Sequence, residues 1–254
     1  MLSTVLALFL LYPQLVDSTD KPNTPPPAEQ GITNEKRGDI YVARKMYREA
    51  VDEYREALKE HPRSARLYNK IGISFHHQMN FGQAKKHYEQ ASSLDEKYAQ
   101  AINNLGTVYY AQHNFKKAQK TYQKALKITP ESASIYSNLG TAYFARRKYK
   151  QATQAYLTAL QFDPNVFDTR SQAGTLLQER SVEDRAKYHY FLARAFADAE
   201  IYDKALLYLR RSLEEGHGSR RKAWADDAFV AMREMPAFLA LVNPEALVAA
   251  NPSE

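Results

Sequence analysis

The sequence predicts an all-α fold, a solenoid of antiparallel helix pairs, and three observations lead there. The first is self-similarity at a period of 34 residues. The second is apolar spacing of three and four residues within each period, which marks helix stripes rather than strands. The third is composition, with 9 glycines against 18 tyrosines in 254 residues. Glycine weakens helices and alanine forms them best, so a glycine-poor chain rich in alanine and tyrosine favours helices with aromatic cores. At 44% hydrophobic and 25% charged residues the chain reads as folded rather than disordered.

Taken in order, the chain opens with an apolar run at residues 2–16, LSTVLALFLLYPQLV. Fifteen residues containing Pro13 fall short of the ~20 that span a bilayer. The run fits the core of a secretory signal, with Val16 and Ser18 as small residues at a processing site, although no Lys or Arg precedes it. Residues 1–18 are therefore read as a signal peptide or anchor. Export to a periplasm or cell envelope is expected, with a cytoplasmic location as the alternative. Residues 19–30 hold Pro22 and the triplet Pro25, Pro26 and Pro27, which favours a stiff extended linker.

Blocks follow at 31–64, 65–98, 99–132 and 133–166, and the same residue types recur in each. One column reads Gly38, Gly72, Gly106 and Gly140, and three residues on it reads Tyr41, Phe75, Tyr109 and Tyr143. Further columns are Ala50, Ala84, Ala118 and Ala152, then Tyr54, Tyr88, Tyr122 and Tyr156, then Ala57, Ala91, Ala125 and Ala159. Tyr136, Leu139, Gly140 and Tyr143 form one helix stripe, and Ala152, Tyr156 and Ala159 a stripe on a second helix, with a polar turn at Arg147 and Lys148 between them. The small residues let the two helices approach, and the tyrosines fill the remaining volume. Pro62, Pro130 and Pro164 end the second helix in three blocks, with Glu96 in their place in the other. One such pair cannot bury its stripe alone, so neighbours must stack.

These columns resemble the tetratricopeptide repeat, a family of 34-residue helical hairpins. The resemblance implies a right-handed superhelical solenoid, here of about five to six repeats, that acts as a protein-interaction scaffold and not as an enzyme. Beyond residue 166 the pattern loosens. Gly174 and Ala186 keep the period from Gly140 and Ala152, and a helix pair is expected at Tyr188–Asp198 and Tyr202–Glu215, with Ala193, Phe196, Ala205 and Leu209 in the matching columns. Residues 167–219 are thus degenerate repeats, closed by Gly216 as a left-handed helix cap. The segment from Trp224 to Leu239 resembles the closing segment of bacterial members of the family, so 220–254 is expected to cap the stack with Trp224, Phe229, Met232, Phe238 and Leu239. A capped solenoid is expected to be a monomer.

The resemblance further implies that the first helix of each block lines a concave groove. The face opposite the packing stripe carries Asn69, Asn103, Asn104, Thr107, Ser137, Asn138 and Thr141, with Tyr110 and Phe144 at its edge. This chemistry suits the backbone of an extended peptide, because an amide offers both a donor and an acceptor. Asn104 and Asn138 are expected to form an amide ladder. The same asparagines can instead bond helix to helix, and both readings stand. Glu35 and Asp39 occupy the first block where chaperone-binding members carry Lys and Arg, so an acidic C-terminal tail is not the expected ligand.

Charge supplies the alternative. The net charge is +6, yet residues 99–162 hold nine basic side chains and one acid, Glu131. Lys116, Lys120, Lys124 and Lys127 follow one helical face, and Arg146 and Arg147 mark the adjoining turn. Such a face could hold an anionic lipid surface or a nucleic acid, the export signal arguing against the second, or it could serve only as a solvated exterior. No cysteine is present, which excludes disulfides and thiolate chemistry. His76 and His77 are adjacent and point about 100° apart on a helix, so they do not chelate one ion together. No cofactor, metal or catalytic constellation is expected.

Overall fold

The structure is a computed structural model, and it describes residues 33–168 and 182–242. The predicted signal or anchor, the proline-rich linker, Gly174 and the end of the closing segment lie outside the described residues.

Eight helices build four hairpins: α1 (Asn34–Ala43) with α2 (Tyr47–Glu60), α3 (Ala65–His77) with α4 (Phe81–Leu94), α5 (Ala99–Ala111) with α6 (Phe115–Ile128), and α7 (Ala133–Ala145) with α8 (Tyr149–Phe162). A fifth hairpin joins α9 (Val182–Asp198) to α10 (Tyr202–Glu214), and α11 (Arg220–Ala225), a 3₁₀ turn (Asp227–Met232) and α12 (Pro236–Val242) close the stack. The described residues contain helices and no strands.

Why the helices start and stop where they do is written in local chemistry. The hydroxyls of Thr33 and Ser64 and the amide oxygens of Asn80 and Asn114 each accept from a backbone N–H three residues on. Each bond satisfies a donor that the first helical turn leaves free. The turn inside every hairpin is the same. Lys45, Met79, His113, Arg147 and Glu200 adopt φ between 58° and 61°. The N–H of the following residue then reaches back five positions, as in Asn80 N to Phe75 O at 2.9 Å and Lys148 N to Tyr143 O at 2.9 Å. This is a Schellman end, and it reverses the chain in a few residues. None of the five is glycine, so each turn holds an L-residue where sterics disfavour it. Pro62, Pro130 and Pro164 fall two residues past the ends of α2, α6 and α8, where no helical N–H is needed.

Packing within a hairpin turns on one contact. The rings of Tyr54, Tyr88, Tyr122 and Tyr156 are fully buried against Gly38, Gly72, Gly106 and Gly140. A methyl group added at Gly106 would sit 2.6 Å from Tyr122 Cε1, far inside normal carbon–carbon contact. In the fifth hairpin Ala193 takes the glycine column and Leu209 the tyrosine column, both fully buried. The slimmer leucine leaves room for the methyl.

Between hairpins, each first helix packs against its own second helix and the second helix of the hairpin before it. Across successive hairpins α3 also touches α5 and α5 touches α7, which places these first helices on the inner side of the stack. Tyr149 and Phe191 stack at 4.7 Å, and Tyr156 meets Tyr188 edge-on at 5.8 Å, which fixes α9 against α8.

Two sequence expectations change here. Helix α9 starts at Val182 rather than Tyr188. Glu200 follows Arg147 by 53 residues rather than 34, so Ala186 lies on a first helix and its spacing from Ala152 does not mark the same column. In the closing segment Phe229, Met232 and Phe238 are buried, whereas Trp224 stays 38% exposed, its ring stacked on Phe238 and covered by Arg233. Leu239 is half-buried. Gly216, at φ 86°, ends α10 as the left-handed cap expected of it.

Candidate functional site

The inner face is built from α1, α3, α5 and α7. Its central feature is a set of rungs that link a residue of one hairpin to the residue 35 positions later. Asn104 donates through Nδ2 to Asn69 Oδ1 at 2.9 Å, and Asn138 donates to Asn103 Oδ1 at 3.0 Å. At the equivalent place between the first two hairpins, Lys70 Nζ lies 2.7 Å from Glu35 Oε1. The ladder therefore begins with an ion pair and continues with amides. It also branches: Asn69 Nδ2 donates to the Tyr98 hydroxyl at 3.3 Å, and that hydroxyl donates to Gln100 Oε1 at 3.3 Å. At the next rung the Ser137 hydroxyl is buried with no hydrogen-bond partner.

These bonds decide what each predicted groove residue can do. Asn69, Asn104, Thr107, Ser137, Asn138, Thr141, Tyr110 and Phe144 are all buried. Thr107 and Thr141 donate to the carbonyls of Asn103 and Ser137 on their own helices. The asparagines spend their amides between helices, so the local-bonding reading holds for Asn69, Asn104 and Asn138. The physical reason is crowding, because a first helix is flanked by two second helices and touched by neighbouring first helices, which leaves a narrow strip for solvent. Asn103 keeps an accessible part, and its Nδ2 makes no hydrogen bond. The strip open beside it comprises Arg66, Lys70, Gln100 and Ser134.

At the first two hairpins the strip is charged but internally neutralised. Glu35 meets Arg66 at 2.7 Å as well as Lys70, and Lys70 also reaches Asp39 at 2.6 Å. Asp39 in turn accepts from the Tyr54 hydroxyl at 2.7 Å. Burial first, and then the adjacent Asp39 carboxylate, raise the Tyr54 pKa far above its ordinary value, so the phenol stays a donor. Sequence reasoning noted the two acids and missed the bases that answer them. The signal was available, since Lys70 lies 35 residues after Glu35.

The outer face is made by the second helices. Lys116, Lys120, Lys124 and Lys127 are exposed along α6 and take part in no ion pair. Arg147 is exposed at the turn, while Arg146 is half-buried and donates to Gln119 Oε1. Among the described residues no group of three or more His, Asp or Glu could hold a metal ion, and no helix is long and apolar enough to cross a membrane.

A stack of helical hairpins with a hydrogen-bonded inner strip defines a helical-repeat solenoid. A family model for the tetratricopeptide repeat matches residues 28–97 and 97–165, more than half of the chain, and the chain belongs to that family. Among solved structures, pilF of Pseudomonas aeruginosa superposes with a TM-score of 0.54 at 19% identity, covering 87% of this chain and 91% of that one. MamA gives 0.50 at 20% identity, covering 74% and 96%. The MamA of Desulfovibrio magneticus RS-1, from residue 41 to its end, gives 0.51 at 16%, covering 76% and 96%. These likenesses concern the fold. No curated protein sequence matches the chain. Neither the family match nor the similar structures support binding of lipid or nucleic acid at the basic face.

Proposed function

We propose that this protein is an interaction scaffold that holds an extended segment of a partner protein along the inner strip, and that it acts after export. The observation that carries the first part is the rigid backing of the strip. Three rungs fix α1, α3, α5 and α7 in register, and beside them stand the accessible polar side chains of Asn103, Gln100 and Ser134. A preorganised row of donors and acceptors lowers the entropy cost of ordering a bound peptide. Contact comes from the accessible residues rather than from the buried Thr107 or Asn138. Export rests on the apolar run at residues 2–16.

A photocrosslinker placed at Gln100 tests the inner strip, with Gln90 on the outer face of α4 as the control position. The same discrete partner is expected from Gln100 and not from Gln90, and the isolated partner should bind the purified chain and protect Gln100 from crosslinking. Equal capture at both positions, or none at Gln100, overturns the reading. For export, fusion of alkaline phosphatase after residue 30 should give an active enzyme outside the cytoplasm.

A further inference from the structure

Equivalent outward positions of the four second helices carry very different charge. On α2 they are Arg48, Asp52, Glu56 and Lys59, and the acids are paired, Asp52 with Arg55 at 3.5 Å and Glu56 with Lys59 at 2.7 Å. On α4 they are Gly82, Lys86, Gln90 and Ser93, and on α8 they are Lys150, Gln154, Thr158 and Gln161. On α6 all four are lysines, Lys116, Lys120, Lys124 and Lys127. Like charges three or four residues apart on a helix destabilise it, so this ridge works against its own fold. It runs for about 17 Å at the helical rise. At its N-terminal end it opens into a shallow, solvent-open cleft of about 560 Å³ between the third and fourth turns, where His113, Asn114, Lys116 and Arg146 line the wall beside Phe115.

We infer that the ridge on α6 and the cleft at its end form a docking surface for an acidic protein segment, a second contact for the kind of partner held by the inner strip. The inference rests on the scaffold reading and adds a partner class to it. Charge complementarity selects an acidic occupant, and what the surface lacks selects a protein. Among the described residues the large exposed apolar side chains are Met79, Phe162, Val182, Leu207, Trp224 and Val230. Only Phe162 lies in the third or fourth hairpin, at the far end of α8, where it stacks on Tyr136 at 5.8 Å. The ridge therefore offers no apolar anchor to insert into a bilayer and no exposed Phe, Tyr or Trp ring for a base to stack on. A polar cleft between two turns instead fits carboxylate side chains at the end of an extended segment.

The test uses the full chain and a labelled oligoglutamate peptide, read by fluorescence anisotropy at low and physiological salt. Phosphatidylglycerol-containing vesicles and oligothymidylate serve as the competing polyanions. Lys120→Glu with Lys124→Glu is expected to weaken peptide binding roughly tenfold or more, whereas Lys36→Glu with Arg44→Glu, the same charge change on the first hairpin, should cost less than about twofold. If the first pair misfolds by circular dichroism, Lys120→Gln with Lys124→Gln takes its place. Equal losses from both pairs would reduce the ridge to bulk charge and overturn the proposal. So would tighter binding of vesicles or oligothymidylate than of the peptide, or no peptide binding at low salt. Capture at Gln100 reports on the inner strip independently. Capture there without oligoglutamate binding sinks this inference alone, and the reverse sinks only the inner-strip reading.

Discussion

Replacing Gly106 with alanine sets two effects of opposite sign against each other. Alanine is the better helix former by about 1 kcal/mol in a helix interior, so propensity alone predicts a gain. The new methyl, however, would lie 2.6 Å from Tyr122 Cε1 and 2.7 Å from Cδ1, about 1 Å inside carbon–carbon contact. Tyr122 cannot swing aside easily, because its ring is fully buried and its hydroxyl donates to Thr107 Oγ1 at 3.3 Å. Overpacking of this kind costs about 1–3 kcal/mol, so after the propensity gain the net expectation is a loss of up to about 2 kcal/mol. Gly82 is the control, since a methyl there meets nothing closer than Asn80 Oδ1 at 3.8 Å. Gly82→Ala should therefore stabilise by roughly 0.5–1 kcal/mol. Urea unfolding followed by circular dichroism reads both, with a constant slope required before midpoints are converted to free energies. The fifth hairpin supplies the rescue. Tyr122→Leu in the Gly106→Ala chain recreates the Ala193 and Leu209 pair, and the double variant should exceed the sum of the singles by about 0.5 kcal/mol or more. A Gly106→Ala protein more stable than the wild type, or additive behaviour with Tyr122→Leu, refutes the packing argument.

Three further outcomes follow from single atoms. Tyr88 has a buried hydroxyl with no partner because Ile73 stands where Asp39 and Thr107 serve Tyr54 and Tyr122. Tyr88→Phe should thus be neutral or stabilising by about 1 kcal/mol, while Tyr54→Phe should cost about 1.5–3 kcal/mol, the range for bonds to charged groups, in the same urea assay. Met79 is 59% exposed and held at φ 59°, so Met79→Gly should raise the unfolding free energy by up to about 1 kcal/mol in the same assay. Burial first, and then the neighbouring His77, push the His76 imidazole from its ordinary value near 6.5 down to about 4. The unfolded chain takes up that proton more readily, so stability is complete above the ordinary value and declines as pH falls from there toward the lowered one. His76→Phe, which can pack on Phe81 as His76 does, should flatten that part of a stability–pH profile.

Most of the fold was legible because the repeat writes the same contact four times. A glycine opposite a tyrosine, an alanine four residues before that tyrosine and another three after it admit few other geometries, and the recurrence supplies the register. Legibility ended where the period did. Among the described residues the next hairpin turn after Arg147 comes 53 residues later, and Ala186 lies on a first helix although it sits 34 residues after Ala152, so counting assigned it to the wrong kind of helix. The correct columns, Ala193, Phe196, Ala205 and Leu209, were found from residue types and not from the count. Turn chemistry was hidden as well. Lys45, Met79, His113, Arg147 and Glu200 share no side-chain type, so the left-handed turn residue, which glycine or asparagine would have announced, left no compositional trace.

The crowding of the inner face was not legible in the sequence, for a physical reason. Helical periodicity sorts residues into faces of one helix, and it does not say how many neighbours that helix has. A first helix here is packed on several sides, so residues placed opposite the packing stripe became rungs and back-bonded hydroxyls. The pair Asn69 and Asn104, like Asn103 and Asn138, is one residue out of the 34-residue register, which comparing identical columns conceals. Glu35 and Lys70 share that offset with opposite charges, so the strip changes from ionic to amide chemistry along its length. Moving the amide pair into the first position, by Glu35→Asn with Lys70→Asn, should keep the rung, free Arg66 and Asp39 from the partners Glu35 and Lys70 provide, and shift ligand preference at that end toward carboxylates through Arg66. Unchanged preference between acidic and neutral peptides would show that the first rung is structural alone.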